Sequence, residues 1–132
     1  MIVRFFIYGV IGWCMEVMWT GLCSAVKGNR ALSSNTSLWM FPIYGSAVLL
    51  VPFYTVLAGM PLPIRGVVYM LCIFGMEFAS GISLLNFVGV CPWDYSRARY
   101  NIAGIIRLDY APLWFAAGLF YEGLFKNFLQ FL

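Results

Sequence analysis

Four apolar runs, each long enough to cross a bilayer, constrain this 132-residue chain more than any other feature. They fall near residues 2–26, 38–60, 66–90 and 110–132, and each is close to the roughly 20 residues that span about 30 Å of hydrocarbon. A bilayer core offers no water to backbone amides, so spanning segments must satisfy their polar groups internally, as helices do. The breaks at 27–37, 61–65 and 91–109 are too short to hold a second, soluble domain. The expectation is therefore one integral membrane domain over 1–132: an all-α, polytopic four-transmembrane-helix bundle, with a structured loop between the third and fourth helices.

Charge supports this reading. Only 10% of residues are charged, against about a quarter in soluble domains. The net charge of +3 is spread over several loops, which gives no case for nucleic-acid binding. The first run is too long for a signal-peptide core and is interrupted by Glu16, so it reads as a helix that stays in the membrane. Localisation follows as a multi-pass membrane protein, in the cell membrane for a bacterial chain, with the lipid bilayer as its first partner.

Against that apolar background stand the chain's three glutamates, Glu16, Glu77 and Glu122, each inside a predicted span. A charge at the bilayer centre costs about 2.5–3.5 kcal/mol on insertion scales, so such acids face the bundle interior, pair, and mark pathways. At 1.5 Å rise per residue all three lie roughly 12–20 Å from the face bearing the first and third loops. Three charged carboxylates at that depth would repel one another, so some must be protonated, or a cation or arginine must share the site.

Their surroundings differ. Gly9, Gly12, Trp13, Trp19, Thr20 and Cys23 share the Glu16 face, a stripe that suits either a cleft or a close helix seam. Glu77 is followed by Ser80 and Gly81. Glu122 has Gly118 one turn before it and Lys126 one turn after, the favourable order for an ion pair. The expected core of the site is thus a Glu16–Glu77 pair between the first and third helices, with Glu122 as a conditional third member. Pro42 and Pro52 each remove a backbone donor and are expected to kink the second helix. Tyr44 and Ser46 beside the first break are candidate cavity-lining groups, as is Trp13. Which metal, if any, such a site takes is not legible, and no cofactor is implied.

The third loop is the most distinctive segment. Cys91-Pro92-Trp93-Asp94-Tyr95-Ser96 opens it, and Asn101-Ile102-Ala103-Gly104-Ile105-Ile106-Arg107-Leu108 leads to Asp109. Its aromatics suit the headgroup region. Asp94 and Asp109 bracket Arg97, Arg99 and Arg107, which predicts ion pairs holding a folded cap built on Trp93, Asp94, Tyr95, Asn101 and Arg107. The apolar piece 102–108 is expected to re-enter the membrane or lie along its surface. Cys23 and Cys91 fall at the same membrane boundary, where a disulfide is conceivable on an oxidising face; two unpaired thiols are the simpler reading. The positive-inside rule leans towards cytoplasmic first and third loops, with five basic residues against three. Asn35-Thr36-Ser37 matches a glycosylation acceptor, which would need the opposite orientation.

The Cys-Pro-Trp-Asp-Tyr-Ser and Asn-Ile-x-Gly-Ile-x-x-Leu stretches resemble the CmpB-like family of ABC-transporter type IV permeases, and are similar to the vertebrate transmembrane protein 229 family. The resemblance extends to Gly12-x-x-x-Glu16, to Pro42-Ile43-Tyr44-Gly45, and to Glu77 with Gly81. The chain departs from it at Ala31, where many bacterial members carry glycine after Asn-Arg. The resemblance implies a small polytopic membrane protein with a permease label.

Two functions compete at this stage. In the first, the chain is a small transporter or permease whose midplane carboxylates bind a cation, a proton or a small cationic substrate, acting as a homo-oligomer or with a larger membrane partner. No GxxxxGK[ST] phosphate loop is present, so ATP dependence would require a separate subunit. In the second, it is a non-transporting accessory or scaffold subunit whose glutamates are interhelical glue. An enzyme is not expected, and a membrane enzyme acting on lipid is the least supported third reading: Glu and Asp alone could perform acid–base chemistry, but the chain has no histidine and nothing marks a nucleophile beside a base.

Overall fold

The computed structural model describes residues 1–132. The chain forms α1 (Ile2–Val26), α2 (Met40–Gly45), a 3-10 turn (Ser46–Leu50), α3 (Val51–Val56), α4 (Leu62–Phe87), a two-stranded hairpin of β1 (Asn101–Ile102) and β2 (Ile106–Arg107), a short 3-10 turn (Leu108–Tyr110), and α5 (Ala111–Leu124). A π turn over Phe125–Leu129 continues α5. The fold is mostly helical, and α1 and α4 are long and apolar enough to cross a membrane.

The elements fall into two compact units, Met1–Val48 and Leu49–Leu132. In the first, α1 and α2 approach closely through small residues. A Cβ on Gly9 would lie 2.8 Å from Phe41 Cε2, and one on Gly45 would lie 2.6 Å from Phe5 Cε2. In the second, α4 packs on α5. A Cβ on Gly66 would overlap the Phe115 ring, and one on Gly118 would overlap Tyr69 Cβ. Tyr54 on α3 completes this core, edge-on to Tyr69 at 5.1 Å and 5.7 Å from Phe125.

The second predicted span is shorter than expected and differently broken. Helical structure covers Met40–Val56 rather than 38–60. Pro42 does not kink it, because it sits in the first turn of α2, where its missing N–H breaks no intrahelical bond. The break falls at Ser46–Leu50, just ahead of Pro52, which opens α3. The third span begins earlier than predicted, at Leu62, since Pro61 and Pro63 are suited to a helix start. It ends at Phe87, where Gly89, at φ +83°, donates its N–H to Leu84 O.

A larger departure precedes α2. Residues 32–37 are non-helical and run back along α1 rather than lying at its end. A Cβ on Gly21 would come within 3.0 Å of Ser34 Oγ and 3.1 Å of Leu32 O. Asn35 N donates to Thr20 Oγ1 (3.2 Å), and Trp13 Nε1 donates to Ser37 O (3.0 Å). Trp13 lies roughly 20 Å along the helix from its Val26 end. Non-helical backbone therefore accompanies α1 from Gly21 to Trp13.

Candidate functional site

That returning segment reaches Glu16. Thr36 Oγ1 donates to Glu16 Oε2 at 2.6 Å, and the Tyr44 side chain is a second hydrogen-bonding neighbour. Thr20, one turn on, donates to the Glu16 carbonyl at 2.9 Å, and so fixes the hydroxyl that receives Asn35 N. Glu16, Trp13 and Tyr44 all lie in the first unit, beside the segment that carries Thr36. The Ser46 hydroxyl donates back to Ile43 O within its own helical segment. Ser33, Ser34, Asn35 and Thr36 stay exposed.

Glu77 belongs to the second unit and lies beneath the third loop. Trp114 and Tyr95 are its hydrogen-bonding neighbours, but Oε2 is buried without a bond of good geometry, and so is the Trp114 indole N–H. The cap above is built locally. Asp94 accepts the Ser96 N–H at 2.9 Å, and Tyr95 N donates to Gly104 O at 2.9 Å. Asn101 Nδ2 donates to Ala98 O at 2.7 Å, while its Oδ1 accepts from Gly104 N at 3.1 Å. Trp93 Nε1 donates to Ile105 O at 2.8 Å. Residues 101–107 form the hairpin and seat Ile105 on Gly81 of α4. Tyr95, Tyr110 and Trp114 follow one another edge to face at 5.8 and 6.0 Å, with the Arg107 guanidinium 4.6 Å from the Tyr110 centroid.

The predicted ion pairs of the cap reduce to one, Arg107–Asp109 at 2.8 Å. It holds the Asp109 carboxyl below its usual range and raises the guanidinium. Asp94 is also held low, chiefly by the Ser96 N–H and hydroxyl, with Arg97 a lesser contributor. Burial pushes the Cys91 thiol up, and all four cysteines are free.

Glu122 is different again. It is only 3% exposed and holds two cations. Lys126 Nζ contacts Oε1, as the four-residue spacing suggested, and Arg65 Nε lies 3.2 Å from Oε1. Arg65 was the partner missed in the sequence, since it stands 57 residues away on α4. No basic side chain pairs with Glu16 or Glu77. The three acids therefore occupy three environments: a hydroxyl-lined face, an aromatic cap, and a double ion pair.

Two apolar helices of membrane-crossing length, each carrying one part-buried glutamate, point to a membrane protein. Over residues 3–132 it matches the model of the family described as "Putative ABC-transporter type IV", and it belongs to that family. No solved structure matches the chain.

Proposed function

We propose that this chain is a small permease-type membrane protein in which intramembrane carboxylates bind a cation, a proton or a small cationic substrate. In this reading α1, the broken helix over Met40–Val56, α4 and the α5 segment make four crossings, and Glu16 lines a hydrated cleft. The observation that carries it is the exposed polar segment beside α1. Non-helical backbone at membrane depth is tolerated only where protein buries it or water reaches it. Ser33, Ser34, Asn35 and Thr36 are exposed, and two of these residues supply the bonds that hold the segment on α1. A water-filled cleft satisfies the rest. Glu16 opens onto it with neutral donors and no basic partner, which leaves its charge available to a cation. Glu77, also without a basic partner, is the second candidate ligand.

Cysteine accessibility tests this directly. In a cysteine-free background, Ser34→Cys and Thr36→Cys are expected to react with a membrane-impermeant maleimide from one side of sealed vesicles. Proteoliposome flux of protons, sodium and tetramethylammonium is then expected to fall in Glu16→Gln and Glu77→Gln. Unlabelled cysteines in folded protein, or flux and pH dependence unchanged in both variants, would overturn the reading.

One observation favours the scaffold reading for part of the molecule. Glu122 has its charge matched by Arg65 and Lys126 and acts as glue between α4 and α5. Stoichiometric co-purification with a larger membrane protein, without ligand-dependent stabilisation, would extend that role to the whole chain.

A further inference from the structure

We propose that the Arg65–Glu122–Lys126 cluster is a binding site for a phosphate oxyanion, presented by an anionic lipid headgroup or as free phosphate. The cluster lies where α4 begins and the α5 segment ends, so both cations stand at the same end of an antiparallel helix pair. Its charge is unbalanced: two cations share one carboxylate, which leaves a net +1. Its layering is ordered. The Glu122 side chain is 4% exposed, Arg65 18% and Lys126 40%, so the acid lies beneath and the cations face outward. An anion arriving from outside meets positive charge first.

Donors remain for it. A guanidinium carries five N–H groups and an ammonium three. Arg65 uses Nε on Glu122 and one Nη1 hydrogen on Met60 O at 2.7 Å. Lys126 spends one hydrogen on Glu122. The Met60 bond anchors the guanidinium, so its remaining fork is held in place rather than mobile. Beneath the pair, Tyr69 is wholly buried and its hydroxyl neighbours Glu122 and Arg65 without a hydrogen bond of good geometry to either. Its position lets it donate to Glu122 when a phosphate draws Lys126 or Arg65 outward, so the acid keeps its bonds in both states. Exposed Leu62, Ile64 and Phe128, close by in sequence, suit the acyl chains of a lipid whose headgroup sits at the cluster. Basic pockets between membrane helices bind anionic headgroups in this way.

The test uses the full chain in neutral detergent and reads thermal stability against added phosphatidylglycerol, phosphatidylcholine, and inorganic phosphate at matched ionic strength. Stabilisation by phosphatidylglycerol but not phosphatidylcholine assigns the lipid source; stabilisation by inorganic phosphate alone assigns the free anion. Lys126→Gln is expected to weaken the effective ligand about fivefold, from about 1 kcal/mol per basic residue. Arg65→Lys keeps the charge but loses the fork, and is expected to weaken it as well. Where Lys126→Gln does not fold, Lys126→Arg must bind at least as tightly as the parent. No stabilisation by either anion, or equal affinity in Lys126→Gln and Arg65→Lys, overturns the proposal. None of these readouts depends on transport.

Discussion

Replacing Gly118 by alanine tests the closest approach between α4 and α5. The added Cβ would overlap Tyr69 Cβ and lie 3.2 Å from Cγ and 3.3 Å from Cδ2. Tyr69 cannot yield, because its Cβ is fixed to the α4 backbone and its ring is fully buried edge-on to Tyr54. Relief must come from the helices moving apart, and overpacking of this kind costs about 1–3 kcal/mol. Alanine also gains about 0.8–1 kcal/mol of helix propensity over glycine, which masks part of that cost. Gly75 and Gly123 supply the correction, since a Cβ at either meets nothing within 4 Å. The difference between Gly118→Ala and these two variants removes the propensity term and isolates the clash. It is expected to be about 1–3 kcal/mol, read as a melting-temperature gap of about 4–12 °C in detergent. Gly66→Ala should fall between, because the Phe115 ring it meets can swing. A Gly118→Ala protein as stable as Gly75→Ala would refute the packing argument.

Glu122→Gln leaves two part-buried cations facing each other and is expected to cost about 3 kcal/mol, whereas Lys126→Gln, at a half-exposed pair, should cost under about 1 kcal/mol; chemical unfolding in micelles ranks the two, and the reverse order would count against Glu122 as the hub. Ala103 holds φ +55° in the hairpin turn, so Ala103→Asn is expected to stabilise the cap by about 0.5–1 kcal/mol, visible as slower amide exchange at Gly104. Asp94 and Asp109 are both held below the ordinary value of 3.8. Their contribution to cap order is therefore complete above that value and lost as pH falls through the lower folded values. Amide exchange at Ser96 should accelerate only in that acid range, and acceleration already near pH 6 would refute the assignment.

Legibility followed the range of the interactions. The four apolar runs were visible because length and hydropathy are local properties, and so was the Glu122–Lys126 pair at one helical turn. The site residues around Glu16 were half visible. Trp13 and Tyr44 stood out by type and position, but Thr36 lay in what reads as a surface break, and no pattern announces that a loop turns back along its own helix. Arg65 and Trp114 were missed for a related reason, since each meets its glutamate across a tertiary contact that spacing does not encode. Within the cap the arginines suggested several ion pairs, whereas backbone N–H groups and the Asn101 side chain do most of the holding. Short-range polar satisfaction took precedence over charge pairing there. The prolines were misjudged at Pro42, where its place in the first turn made it harmless.

The segment returning along α1 has a consequence for how the chain is made. Ser33 to Ser37 carry too many polar groups to enter lipid as a free strand, so they cannot take their final place while α1 is inserted alone. Their seat exists only once α2 has been drawn in behind them, with Phe41 against Gly9 and Gly45 against Phe5. Insertion of the first helix and completion of its polar face are thus separate events in time. An assembly intermediate with α1 alone would hold Glu16 without Thr36, its hydroxyl donor.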